Sequence, residues 1–234
     1  MSSESETIVI SLGGSLIAPD TVDSDFVRQF VDLVSSFTDQ GKRFFIITGG
    51  GKVARRYQEA LSHIRSVENT ELDWIGIHAT RLNAQFLKMA FGDRAHSDIL
   101  FDPEKEIVRP NEPITIGAGW KPGWSTDYVA VQFAKKFGAR RVLNLSNVEY
   151  VYDKDPNEHA DAVKIEKTDW ARFRTLLPTT WDPGLSAPFD PIAAKAAEEF
   201  DLEVGILNGR IENVRDYFEG NNFVGTVIRN DGRV

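Results

Sequence analysis

Four short runs decide most of what this chain can become: TIVISL at 7–12, RFFIIT at 43–48, RRVLNLS at 140–146 and LEVGILNG at 202–209. Each is a nearly continuous apolar stretch rich in β-branched residues. A strand with one face in water alternates apolar and polar side chains, whereas a strand without alternation is covered on both faces. Helical patterns separate the runs, so the chain reads as strands alternating with helices. That order builds a mostly parallel sheet with helices on both sides.

The helical patterns have recognisable ends. Over 23–41, Phe26, Val27, Phe30, Val31, Val34 and Phe37 recur at helical spacing, and Gly41 is a C-terminal stop. Further helices are expected at 52–64, 73–93, 125–138 with Ser125 or Thr126 as N-cap, 190–201 with a proline in first position, and 212–220. PITIG at 113–117 and GTVI at 225–228 are two more strands. The rest is less regular: 94–116 carries short apolar runs at Ile99-Leu100 and Ile107-Val108, 147–159 is turn-rich, and 165–190 is an irregular Pro- and Trp-containing stretch. No linker or internal repeat divides the 234 residues, so one α/β domain is expected.

Composition narrows the function classes. Lys and Arg are scattered and the net charge is −8, which disfavours a nucleic-acid surface. With no cysteine there is neither a disulfide framework nor a thiolate metal site, in keeping with a cytoplasmic protein. No apolar run approaches the roughly 18 residues of a membrane span. MSSESET lacks the basic and apolar parts of a signal peptide and is expected to be a short disordered lead at 1–7. His63, His78, His96 and His159 show no metal-ligand spacing and read as structural or surface residues.

Ligands of open α/β sheets sit beyond the carboxyl ends of the strands. Those ends carry SLGGS, ITGGGK, TIGAGWKPGW and LNLSN. Glycine at a strand-to-helix junction lets backbone N–H groups approach an anion, and the helix start adds partial positive charge. One Gly pair is only a turn; two Gly-rich strand ends and a third Gly-rich loop point to a polyphosphate site. The pattern is neither a Walker loop nor a dinucleotide fingerprint. Lys52, Arg55 and Arg56 follow within about one turn of the second loop. Arg55, four residues past Gly51, is placed to reach back to a phosphate, while Arg56 reads as a solvated surface charge.

Seven stretches in order, ISLGGSLI (10–17), ITGGGKVARRY (47–57), DWIGIHATRLNA (73–84), PGWSTDYVAV (122–131), LSNVEYVYDKDP (145–156), FDPIAAK (189–195) and GTVI (225–228), resemble the amino-acid kinase superfamily, most closely the archaeal type of UMP kinase. The most specific is SNVEYVYDKDP, similar to that family's T-N-V-D-G-V-Y-x-x-D-P segment. The resemblance runs from about residue 8 to 229. It implies a three-layer α/β/α sandwich with an acceptor lobe over about 8–140 and an ATP lobe over about 141–230, and phosphoryl transfer from ATP to UMP with Mg²⁺. Gly13, Gly14 and Ser15 then match the first ATP-phosphate loop, Gly51 and Arg55 further ATP-phosphate positions, and Gly50 a UMP-contacting glycine. Asp73 falls on the aspartate that holds the ribose. Trp120, Lys121, Pro122, Gly123, Trp124, Ser125 and Thr126 form the UMP loop, and Ser146, Tyr152 and Asp155 surround adenosine. Asp127 matches the aspartate that organises the catalytic groups, and Lys195 the lysine near the transferring phosphoryl group. No protein metal-ligand set is implied. Small-molecule nucleotides are the expected partners, and family members are commonly homo-oligomers, hexamers or dimers.

The chain departs from the pattern in four places. Trp120, Lys121 and Trp124 replace less bulky residues in the acceptor loop; the rings could stack on a base or pack beneath the loop, and Lys121 could pair with the acceptor phosphate. A lysine that bacterial relatives carry before the first loop is absent around Ser11, leaving Lys52 and Lys121 as candidate cations. Glu149-Tyr150-Val151-Tyr152 replaces D-G-V-Y, and 172–190 poorly matches the family's Gly/Ser-rich lead into the D-P-x-A-A-K helix. These departures keep two alternatives open: a kinase of the same fold with another phosphate-bearing acceptor, and a nucleotide-binding storage or regulatory protein without turnover.

Overall fold

The computed structural model describes residues 6–105, 110–178 and 187–230. The Ile107-Val108 run, residues 1–5 of the expected lead and residues 179–186 of the irregular stretch lie outside these. The chain runs β1 (Thr7–Leu12), α1 (Gly14–Ile17), α2 (Ser24–Asp39), β2 (Arg43–Thr48), α3 (Gly51–Ile64) and α4 (Asn69–Phe91). A single 3₁₀ turn follows at Gly92–Arg94, then β3 (Ile114–Gly117), α5 (Thr126–Phe137), β4 (Arg141–Ser146), β5 (Val151–Tyr152), β6 (Lys164–Ile165) and β7 (Lys167–Thr168). The last elements are α6 (Trp170–Thr175), α7 (Pro191–Glu199), β8 (Glu203–Asn208), α8 (Ile211–Glu219) and β9 (Gly225–Ile228).

Seven strands form one sheet in the order β3-β2-β1-β4-β8-β9-β7, and β5 pairs with β6 in a separate antiparallel ribbon. Within the main sheet only β9 runs against its neighbour β8. Successive side chains of a strand point to opposite faces, and the apolar runs feed two cores accordingly. Ile8, Ile10, Phe44, Ile46, Leu143 and Leu145 pack with α2, α4 and α8 on one face. Val9, Phe45, Ile47, Val142, Val204 and Ile206 pack with α5, α6 and α7 on the other. The result is the three-layer α/β/α sandwich.

Local signals account for the helix ends. Asp23 caps α2 through Phe26 N–H, Gly41 beyond its end takes φ +88°, Ser125 caps α5 through Tyr128 N–H, and Asp190 caps α7 with Pro191 in first position. Three expectations need correction. The fourth helix starts at Asn69, not 73, because Glu68 and Glu71 form a reciprocal capping box four residues upstream, and it ends at Phe91 before Gly92. The turn-rich 147–159 holds strand β5. The irregular 165–190 holds β7 and α6: Trp170 is fully buried, its indole N–H donating to the Leu202 carbonyl, so a large ring anchors a helix too short to show a period.

Candidate active site

Asp127, the second residue of α5, is the hub of the carboxyl edge. Ser11 and Asn144 are register partners on β1 and β4, so their side chains leave the sheet on the same side. Ser11 Oγ donates to Asp127 Oδ1 at 2.7 Å and Asn144 Nδ2 donates to the same oxygen at 2.8 Å. The Asp190 N–H, at the start of α7, approaches Oδ2 at 3.3 Å. Burial raises the Asp127 carboxyl from its ordinary 3.8 to about 6, and the nearby Asp190 carboxylate adds to the rise; the hydrogen bonds from Ser11, the Asp190 backbone and Asn144 pull the other way. Ser11 is the small residue at the position where a lysine was missed, and its hydroxyl serves as a donor to Asp127. Sequence reading had not assigned Ser11, Asn144 or Asp190 to this hub. The available signal was a polar residue inside an otherwise apolar central strand.

The first two glycine loops are locked together by backbone contact. A Cβ on Gly14 would lie 2.4 Å from the Gly49 carbonyl oxygen and 2.5 Å from Gly51 N, and a Cβ on Gly51 would lie 2.4 Å from Gly14 C. Gly51 also has φ +60°, in the left-handed region. Gly13 N–H is tied to the Leu145 carbonyl at 2.8 Å, joining the first loop to β4. Ser15 lies in the four-residue α1, and Gly50 caps α3 against Gly76 and Ala79 of α4. The first N–H groups of α3 have no carbonyl within the helix to bond. Of the cations that follow, Lys52 and Arg56 both engage Asp20, at 3.1 and 3.0 Å. Lys52 thus rests on an exposed carboxylate in this structure. Arg55 is exposed, with no ion pair among the described residues.

One face of α4 pins the loop after β3. Asp73 Oδ2 accepts from Gly123 N–H at 2.8 Å, Thr80 Oγ1 accepts from Gly119 N–H at 2.8 Å, and Arg81 Nη2 donates to the Trp120 carbonyl at 3.2 Å. Residues 73, 80 and 81 share a face at helical spacing, which is why one helix can hold the loop at both ends. The Arg81 guanidinium rests 4.3 Å from the Phe101 ring, its Nε is buried without a hydrogen-bond partner among the described residues, and burial lowers its pKa. Thr80, Arg81 and Asn83, whose amide donates to the Gly49 carbonyl at 2.8 Å, were not assigned from sequence.

The two tryptophans divide their roles. Trp120 is only 8% exposed and belongs to the core, whereas Trp124 is half-buried against it. Their rings stack at 6.1 Å, and Trp124 stacks on Tyr128 at 4.1 Å. Lys121 lays its ammonium over the Trp120 ring at 3.7 Å with Glu104 at 3.8 Å. Pro122 and Gly123 form the tip, Gly123 with φ +87°. Ser125 spends its hydroxyl on the helix cap, and Thr126 opens α5.

On the far side of the hub, Tyr152 and Asp155 line a cavity of about 330 Å³ together with Val148, Leu176 and Pro188. Ser146, at the end of β4, accepts from Val148 N–H at 3.2 Å and so shapes one wall. Leu176 and Pro188 were missed because they flank a segment without a period. Lys195 is exposed on α7, in the turn after Asp190, with no ion pair among the described residues. No three His, Cys, Asp or Glu side chains gather as metal ligands among the described residues, and no helix there is long and apolar enough to cross a membrane.

This geometry has close counterparts. Uridylate kinase of Methanocaldococcus jannaschii is 32% identical over 91% of this chain and 95% of its own length. Uridylate kinase of Thermoplasma volcanium is 33% identical over 95% of this chain and 97% of its own. The crystal structure of uridylate kinase from Archaeoglobus fulgidus superposes with a TM-score of 0.78 at 29% identity, covering 94% of this chain and 99% of that one. The profile of the amino acid kinase family matches residues 6–208. With that match, and with the sandwich and its glycine-lined carboxyl edge, the chain belongs to the amino acid kinase family.

Proposed function

We propose that this protein is a nucleoside monophosphate kinase that phosphorylates UMP with ATP, giving ADP and UDP. The observation that carries the reading is the likeness along nearly the whole chain to proteins named uridylate kinase. Phosphoryl transfer needs two anions brought together and the developing charge neutralised, with little covalent work for the protein. The acceptor lobe, about 8–140, and the ATP lobe, about 141–230, would meet at Asp127.

In this reading the ATP phosphates lie on Gly13, Gly14, Ser15 and Gly51, with Arg55 reaching in. Adenosine occupies the cavity of Tyr152 and Asp155 beside Ser146. UMP lies between Gly50, Asp73 and the loop of Trp120, Lys121, Pro122, Gly123, Trp124, Ser125 and Thr126. Asp73 holds the loop through one oxygen and keeps the other for a ribose hydroxyl. Asp127 fixes Ser11, Asn144 and the start of α7, which aims Lys195 toward the transferring group. Asp127 already accepts three hydrogen bonds and Asp190 is used as a cap, so the donor set suits Mg²⁺ carried on the nucleotide phosphates rather than in a protein cage. Mg²⁺ when bound neutralises phosphate charge.

The setting is proposed to be the cytoplasm and the state a homo-oligomer, dimer or hexamer. Leu82 and Met89 stand 63% and 69% exposed on α4 with Phe86 between them, an apolar stripe suited to a second copy. The test is ADP release with Mg²⁺-ATP and each of UMP, CMP, dTMP, AMP and GMP, beside Asp127→Asn. Turnover with UMP that the variant loses supports the proposal; silence with every pyrimidine nucleotide overturns it.

A further inference from the structure

At the edge of the sheet opposite the glycine loops lies a cavity of about 510 Å³, the size of a small-molecule site. Arg141 and Glu203 stand at the amino ends of β4 and β8, and Lys167 and Arg229 come from β7 and the end of β9. With Arg172 of α6, four cations line it against two carboxylates, Asp169 and Glu203. With Glu6 paired to Arg141 behind the lining, four cations face three carboxylates, a local excess of one positive charge in a chain of net charge −8.

The acids are largely spoken for. Asp169 caps α6 through Arg172 N–H at 2.7 Å, and Glu203 faces Arg229 at 3.5 Å. Arg141 is paired with Glu6. Lys167 and Arg172 make no ion pair within 4 Å among the described residues. One wall is aromatic: Tyr217 stands edge-on to Phe223 at 5.1 Å. Tyr217 is only 5% exposed, and its hydroxyl lies against the Arg141 guanidinium, so the tyrosine adds ring surface to the wall. Cations at the rim beside an aromatic wall describe a receptor for an anion with a flat ring.

We propose that this cavity is a second ligand site, taking a small aryl or heterocyclic phosphate, with the phosphate at Lys167 and Arg172 and the ring against Phe223 and Tyr217. Along β4 its Arg141 lies three residues, about 10 Å, from Asn144 and five, about 17 Å, from Ser146 at the catalytic edge. Its occupant therefore does not compete with ATP or UMP. Strand β4 runs from Arg141 in the cavity to Asn144, the partner of Asp127, which gives the site a direct connection to the hub.

Phenyl phosphate is the probe, titrated calorimetrically into the full chain saturated with ADP and UMP, with inorganic phosphate as control. The expected result is saturable binding that persists with both nucleotides present. It should weaken at least tenfold in Lys167→Ala/Arg172→Ala and several-fold in Phe223→Leu, which removes the ring from the wall. Absence of saturable binding, or binding indifferent to the double substitution in a variant with a normal melting curve, overturns the proposal. Equal affinity for inorganic phosphate overturns the aryl component. Because binding is read without turnover and is measured on the nucleotide-free chain as well, these outcomes are independent of the UMP kinase reading.

Discussion

Replacing Asp127 with Asn should separate stability from activity in a pH-dependent way. An acid whose folded pKa is raised is stabilising when protonated, and that contribution is lost as pH climbs from its ordinary 3.8 through its folded value of about 6. Above that window, holding Asp127 ionised costs the fold about 3 kcal/mol, from 1.36 kcal/mol per unit. Two-thirds of this, about 2 kcal/mol, accrues between pH 4.5 and 7.5. Asn carries no charge and escapes that cost. It also presents an amide NH₂ to one of the donors around the carboxylate, Ser11, Asn144 or the Asp190 N–H, losing about 1–3 kcal/mol at any pH. Urea unfolding of both proteins at the two pH values should show the variant gaining about 2 kcal/mol on wild type as pH rises. At pH 7.5 the variant should match wild type or exceed it by up to about 2 kcal/mol, while kcat for UMP falls by about 100-fold or more. A stability difference independent of pH would refute the placement of a raised, ionising carboxyl at this position.

Other perturbations follow from the site. Gly14→Ala drives a methyl group to 2.4 Å from the Gly49 carbonyl oxygen. It should cost about 3 kcal/mol and lower the melting temperature by roughly 6–12 °C, as calorimetry would read. Arg55→Ala should raise the KM for ATP about tenfold with unchanged melting, whereas Arg56→Ala, losing only an exposed pair to Asp20, should change stability by less than about 1 kcal/mol and leave KM alone. Trp120→Ala should cost about 3–5 kcal/mol in denaturant titration because its ring is core. Normal stability with a much higher KM for UMP would instead make it a base-stacking ring. Asp73→Ala should raise the KM for UMP and speed proteolysis at the Pro122-Gly123 tip, since Gly123 N–H loses its anchor.

The sheet was legible because its strands are buried on both faces and cannot hide their lack of alternation. Helices with side-chain caps, such as α5 at Ser125 and α7 at Asp190, were legible for a similarly local reason. What failed was short or non-local. The six residues of α6 span less than two turns, and β7 has two residues whose partner, β9, lies about sixty positions away. Asp127 could be named from its motif, but its surroundings could not, because Ser11 and Asn144 come together only through the β1–β4 register. Likewise the opposition of Trp120 and Trp124, one core and one half-exposed, depends on how α4 pins their loop, which no local pattern encodes.

The interlock of Gly14 with Gly49 and Gly51 bears on how such a protein can change. Neither loop can acquire a side chain at these contacts without the other giving way, so the two form a single inherited part rather than two independently adjustable ones. New acceptor preferences must then arise elsewhere. In the proposed reading, the tip of the acceptor loop, from Lys121 to Trp124, is the segment with that freedom: Asp73 holds it at Gly123, and changes there leave both the core ring of Trp120 and the glycine junction untouched. An engineer seeking a different acceptor would diversify that loop and leave the glycines alone.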